Sequence, residues 1–270
     1  MEKEEFYIGW QGKAPRSFSR QSKSFVFLMI LLVIGVASAY VLNQKGFNNS
    51  TTELGSVSEV KGVLYRYPVP MLKVKTGENA FQNLLLCGFG KDDALATLDA
   101  LEAKVDNLEA YEVTLKTSLF YYDGHTILEV PFSKNNMAAY QKLENPLPKR
   151  TVEKIGEVSL KGQIVDSKCY LGVMKPGYGK IHRSCGVRCI SGGIPALLVT
   201  NNGKGAQDYF ILVGPDGEMI NQKILDKVGF GVKVKGQLEK VDEWYVLKVD
   251  PKKDIQDHYL SARDALYLTE

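Results

Sequence analysis

Val113-Thr-Leu-Lys-Thr-Ser-Leu-Phe-Tyr-Tyr-Asp-Gly-His-Thr-Ile-Leu-Glu-Val130 sets Val113, Leu115, Thr117, Leu119 and Tyr121 in alternation, then turns at Asp123-Gly124 and enters a second apolar run. Alternation with a period of two marks a strand with one buried face. Asp-Gly between two such runs closes a hairpin. The figure returns further on. Val113, Leu115, Leu119, Leu128 and Val130 match Val232, Val234, Leu238, Leu247 and Val249 at an offset of 119, and the turn aspartates Asp123 and Asp242 keep step.

Two weaker matches extend the repeat outward. Val60-Lys-Gly-Val-Leu64 aligns with Leu160-Lys-Gly-Gln-Ile164 at an offset of 100. Leu84-Leu-Leu86 with Lys91 aligns with Leu197-Leu-Val199 and Lys204 at 113. Between strands, Asp92 to Leu108 places Ala94, Leu95, Leu98, Leu101, Val105 and Leu108 on one helical face. About five strands with a helix between the third and fourth and a closing hairpin resemble the OB-fold, a small Greek-key barrel. The expected fold is therefore mainly β: two tandem OB-fold-like barrels over 55–132 and 156–250, with one larger β-sandwich as the alternative. The stretch 133–155, with Asn145-Pro-Leu-Pro-Lys-Arg150, reads as a linker. In 251–270, Ile255, Tyr259, Ala262 and Leu266 predict a short C-terminal helix.

Upstream, Phe25 to Leu42 runs without a charge, long enough as a helix for roughly 27 Å, near the lower limit for crossing a bilayer. Lys3, Lys13, Arg16, Arg20 and Lys23 precede it, and the segment 43–54 that follows holds Lys45 as its only basic residue. The positive-inside rule then leaves arm 1–24 in the cytoplasm and carries the rest across the membrane. Ala37-Ser38-Ala39 has the form of a signal-peptide cleavage site, but a long basic arm and the apolar Tyr40-Val41-Leu42 beyond it favour an uncleaved anchor at 25–42. The aromatic Phe6 to Trp10 stretch suits a headgroup contact. A net charge of +3, spread evenly, does not suggest a nucleic-acid partner.

The repeat also locates an addition. Between Gly162 and Leu197 the offset grows by 13, and that interval runs Asp166-Ser-Lys-Cys-Tyr-Leu-Gly-Val-Met-Lys-Pro-Gly-Tyr-Gly-Lys-Ile-His-Arg-Ser-Cys-Gly-Val-Arg-Cys-Ile-Ser-Gly-Gly-Ile-Pro195. Three of four cysteines and one of three histidines gather there. His182, Cys185 and Cys189 follow spacings of three and four, one face of a helix, and Cys169 can complete a Cys3His set suited to zinc or copper. Asp166 reads as a turn or surface residue first, with orienting His182 as the alternative; Met174 reads as a weak thioether ligand and Arg183 as a nearby cation. Alternatively, outside the cytoplasm Cys169 pairs with Cys185 or Cys189 as a disulfide staple. A third possibility is thiol exchange by a cysteine activated beside His182, Arg183, Arg188 and Lys180. Cys87, on a strand of the first copy, reads either as a disulfide partner for the leftover cassette cysteine, if the domains abut, or as a buried free thiol.

The cassette resembles one found in uncharacterised bacterial membrane-anchored envelope proteins with tandem OB-fold-like domains. The likeness covers Asp166 to Pro195 and implies a shared site without an assigned activity. No paired carboxylates, Ser/His/Asp set or His-Glu-x-x-His helix points to hydrolysis, so no catalytic residues are assigned and a non-enzymatic role is expected. The expected function is that of a single-pass bacterial inner-membrane protein with its bulk in the periplasm. It would act as an accessory or binding subunit of a membrane-associated redox or metal-handling complex. The competing expectations are a thiol–disulfide enzyme and a purely structural envelope scaffold.

Overall fold

The computed structural model of the chain describes residues 12–13, 15–43, 50–53, 55–131, 136–172, 174–201 and 207–259. Helix α1 (Arg16–Asn43) covers the expected anchor and begins well ahead of it. Its segment Phe18–Asn43 is long and apolar enough to cross a membrane, and it forms a unit separate from the rest of the chain. The aromatic stretch Phe6 to Trp10 and Lys3 lie outside the described residues.

The first barrel contains β1 (Thr51–Thr52), β2 (Ser58–Tyr65), β3 (Met71–Lys75), β4 (Phe81–Cys87), α2 (Leu95–Glu102), β5 (Tyr111–Tyr122), β6 (His125–Glu129) and β7 (Met137–Lys142). β2, β3 and β4 pair in sequence, β4 pairs in parallel with β6, β6 with β5, and β5 with β2. Five strands thus close on themselves in the order first, second, third, fifth, fourth. The second barrel contains β8 (Val152–Asp166), α3 (Ser167–Tyr170), α4 (Gly179–Ser191), β9 (Ala196–Asn201), β10 (Gln207–Val213), β11 (Gly231–Val241), β12 (Trp244–Lys248) and β13 (Ile255–Asp257). Its pairings repeat that order, with β10 parallel to β12. Both are closed OB-fold-like barrels.

The Lys-Gly matches have a steric cause. A Cβ on Gly62 would lie 2.4 Å from the Lys73 carbonyl oxygen, and one on Gly162 would lie 2.1 Å from that of Val199. Each glycine lets the first strand bend tightly against the second. Helix α2 is shorter than expected: it ends at Glu102, and the Asn107 side chain, accepting from the Glu109 N–H, starts a separate 3-10 turn at Leu108–Ala110.

Strand pairing corrects the repeat. Met71 faces Leu85 as Leu197 faces Ile211, so second and third strands are related by 126 residues and not by 113. Leu84 to Leu86, on a third strand, had been aligned with Leu197 to Val199 on a second one. The physical reason is burial on both faces. Leu84 and Leu86 point into the first barrel's lumen, while Leu85 and Cys87 join a core between the barrels. Leu198, Phe210 and Leu212 likewise fill the second lumen, and Leu197, Val199, Tyr209, Ile211 and Val213 face the shared core. Strands buried on both faces read as unbroken apolar runs without register information.

Two more boundaries move. The stretch read as linker 133–155 contains β7, paired with β5, and the start of β8, so it belongs to the barrels. The expected C-terminal helix begins instead as a turn followed by β13 at Ile255–Asp257, paired with β11; residues 260–270, with Ala262 and Leu266, lie outside those described.

The barrels meet through their second and third strands, each reinforced by the opposite barrel's last hairpin. Trp244 Nε1 donates to the Asn83 carbonyl at 2.8 Å, and Asn83 Nδ2 donates to Asp242 Oδ2 at 3.1 Å and Glu243 Oε2 at 2.7 Å. From the other side Tyr209 donates its hydroxyl to Asp123 Oδ2 at 2.7 Å. Arg150 ties the connection down, with Nε 3.0 Å from Asp242 Oδ2 and its guanidinium 4.7 Å over the Tyr65 ring.

Candidate metal centre at the barrel junction

The cassette occupies the connection between the first and second strands of the second barrel, where the sequence located it. In the first barrel the equivalent link is the short run from Arg66 to Pro70. The offset rises from 100 at Gly62 and Gly162 to 126 at Met71 and Leu197, so the addition is twice the length the sequence suggested.

Asp166 ends β8 and is fully buried. Its Oδ1 accepts the Cys169 N–H at 2.8 Å, capping the short helix α3 and fixing Cys169 one turn on. Its Oδ2 lies 3.0 Å from Nε2 of the buried His182. Asp166 therefore bridges α3 and the imidazole of α4. Helix α4 carries His182, Cys185 and Cys189. Gly186, between them, lets the helix pack closely on Val228, since a Cβ there would stand 3.1 Å from that side chain.

Three thiols converge. The ligand atoms of Cys169, Cys185 and Cys189 all lie within 4.8 Å of one another, and Cys169 Sγ stands 3.9 Å from Cys189 Sγ. Cys169 and Cys189 are 5% and 1% exposed, whereas Cys185 is half-buried and opens the cluster to the surface. All four cysteines are free thiols. His182 groups instead with Asp166 and Cys169, so the expected Cys3His set resolves into two overlapping trios that share Cys169. Met174 is 45% exposed on the surface. The Arg183 guanidinium lies 4.8 Å over the Phe230 ring.

The electrostatics are uneven. The hydrogen bond to Cys189, and then burial, push Cys169 up, while the same bond, aided by Lys91, pulls Cys189 down. Cys87 is held apart from this chemistry: burial pushes its thiol up to about 12, with Lys168 and the Ser167 hydroxyl opposing.

The first barrel supplies residues that the sequence did not reveal. Lys91 Nζ approaches Cys185 Sγ to 3.4 Å. The buried Lys168 reaches back from α3, donating to the carbonyls of Gly88 at 2.9 Å and Gly90 at 2.8 Å and pairing with Glu129. A Cβ on Gly192 would fall 2.0 Å from the Lys91 carbonyl, so the loop from Gly88 to Asp93 lies directly against the end of α4. Lys91 stood out in the sequence only as a repeat marker, because nothing local connects it with a cysteine 94 positions away.

A ring of tyrosines flanks the cluster. Tyr170 lies 6.1 Å from Tyr209, 6.3 Å from Tyr122 and 6.3 Å from Tyr178, centre to centre. Lys175 sits 3.7 Å over the Tyr122 ring, and burial lowers it to about 8. His125 is half-buried against Tyr209 and Trp244, and burial lowers its pKa.

The arrangement suits a thiophilic cation. With Zn–S bonds of about 2.3 Å, tetrahedral geometry sets neighbouring sulfurs about 3.8 Å apart, close to the separation of Cys169 and Cys189. Thiolate ligands select Zn(II) or Cu(I) over harder ions. No family model, curated protein or solved structure matches the chain.

Proposed function

We propose that this protein is a membrane-anchored metal-binding accessory subunit, with both barrels on the extracytoplasmic side of a bacterial inner membrane and the thiol cluster as its working site. The observation that carries this reading is the convergence of Cys169, Cys185 and Cys189. A staple uses two sulfurs bonded at about 2.05 Å and leaves the third thiol without a task. A metal uses all three. Basic residues Lys13, Arg16, Arg20 and Lys23 at the start of the apolar helix support the orientation.

Burial favours binding over thiol exchange. A disulfide substrate must meet an exposed thiolate, and Cys169 and Cys189 are closed off by the opposite barrel. The usual ligand face of an OB barrel, its second and third strands, is in both copies occupied by the other barrel. Binding is thereby left to the cassette, whose half-buried Cys185 offers the route for a metal to enter or leave towards a membrane-associated partner.

The test is elemental analysis of the detergent-solubilised full chain, with thiols counted before and after denaturation. Bound zinc or copper, with thiols that become reactive only after denaturation and chelation, is the expected result. Metal-free protein with its cassette cysteines oxidised to disulfide overturns the reading.

A further inference from the structure

We infer that the cassette holds two metal ions, bridged by the Cys169 thiolate: one with Cys185 and Cys189, the other with Asp166 and His182. The inference rests on the metal-binding reading above and extends it from one centre to two. Four ligands around a single ion should all lie close together. Here two trios do so instead, with Cys169 as their common member. A thiolate has lone pairs enough to serve two cations.

The second trio has the form of a ligand set. Asp166 Oδ2 and His182 Nε2 stand 3.0 Å apart, and both are buried. Bonds of about 2.0–2.1 Å from a tetrahedral zinc to N and O put such atoms about 3.3 Å apart, so little movement converts the hydrogen bond into an edge of a coordination shell. Asp166 remains fixed through Oδ1 by the Cys169 N–H, and this leaves Oδ2 for the cation.

The donor chemistry points the same way: three thiols, one imidazole and one carboxylate suit thiophilic divalent ions. Among the described residues the cation seen against these sulfurs is Lys91, at the half-exposed Cys185. The class of ligand is therefore a pair of divalent thiophilic ions, with zinc as the probe.

Zinc titration of the reduced full chain, followed by desalting and elemental analysis, reads the stoichiometry. Two zinc per chain are expected, falling to one in His182→Ala and to one in Cys185→Ser. To keep the test independent of the folding of His182→Ala, cobalt(II) is titrated into the unmodified protein as a second measurement. A thiolate bridge couples the two spins, so the paramagnetic signal should grow through the first equivalent and fall through the second. One zinc per chain and a cobalt signal that only grows overturn the two-ion inference and leave the single thiol centre standing. Two zinc in His182→Ala overturns it as well. No retained zinc at all sinks both readings.

Discussion

His125 and Trp244 each begin the fifth strand of their own barrel, and their rings meet 4.7 Å apart across the barrel junction. Contact between equivalent positions is the mark of a two-fold interface. Their neighbours reciprocate. Asp123 takes the Tyr209 hydroxyl, while Asp242 takes the Asn83 amide, and Asn83 and Tyr209 are both third residues of third strands. Both aspartates adopt positive φ, 48° and 54°, in matching hairpin turns. The chain thus packs two barrels as a two-fold dimer packs two subunits, and the cassette breaks that symmetry on one side.

Because the junction is a continuous apolar core, the barrels should unfold together. One cooperative transition by fluorescence and circular dichroism is expected, and Trp244→Ala should cost about 3–5 kcal/mol. Two separated transitions, one per barrel, would contradict a shared core.

Acid should loosen this junction through Asp242. Burial acts to raise its carboxyl, but the Thr151 N–H, Arg150 and Lys73 outweigh that and hold it below the ordinary carboxylate range. A folded value below the unfolded one means that the stabilisation is complete above about pH 4 and lost as pH falls through the lowered folded value. Asp242→Asn should therefore cost about 1–3 kcal/mol near neutrality, a gap that closes in acid. Denaturation curves at several pH values check this, and a gap independent of pH would contradict it.

Lys168 holds the first barrel's loop over the cassette. Lys168→Met leaves Glu129 and two carbonyls without their partner, so a loss of about 3 kcal/mol is expected in denaturant titration. Unchanged stability would mean that the loop is held by packing alone.

Much of this was legible in the sequence, and what was missed was missed for physical reasons. Alternation along Val113 to Tyr121 and Val232 to Leu238 gave the strands that have one face in a lumen. The spacing of His182, Cys185 and Cys189 gave one helix, whereas the burial of Asp166 beside His182 runs against the turn or surface position that the sequence favoured for it. Strands β4 and β9 misled, since burial on both faces erases the period of two. Residues 133–155 read as linker because Pro and Asn are dense there, yet β7 precedes those prolines and pairs with β5. Lys91, Glu129 and the Gly88 to Gly90 carbonyls reach the site only through the meeting of the barrels, a long-range event that local patterns do not carry.

Lys91 should tune metal affinity from across that junction. With its ammonium 3.4 Å from Cys185 Sγ, Lys91→Met removes a positive charge facing an anionic thiolate complex. Competition against a chromophoric chelator should show binding weakened about tenfold, the scale of a charge-assisted hydrogen bond. Equal affinity would place Lys91 outside the site's electrostatics.

The most direct measurement is X-ray absorption at the metal edge of the full chain, purified without added chelator. The expected spectrum is a sulfur-rich first shell at about 2.3 Å, lost when Cys169 is replaced by Ser. A shell made of nitrogen and oxygen alone, or a protein that retains no metal, would contradict the claim that Cys169, Cys185 and Cys189 form a metal centre.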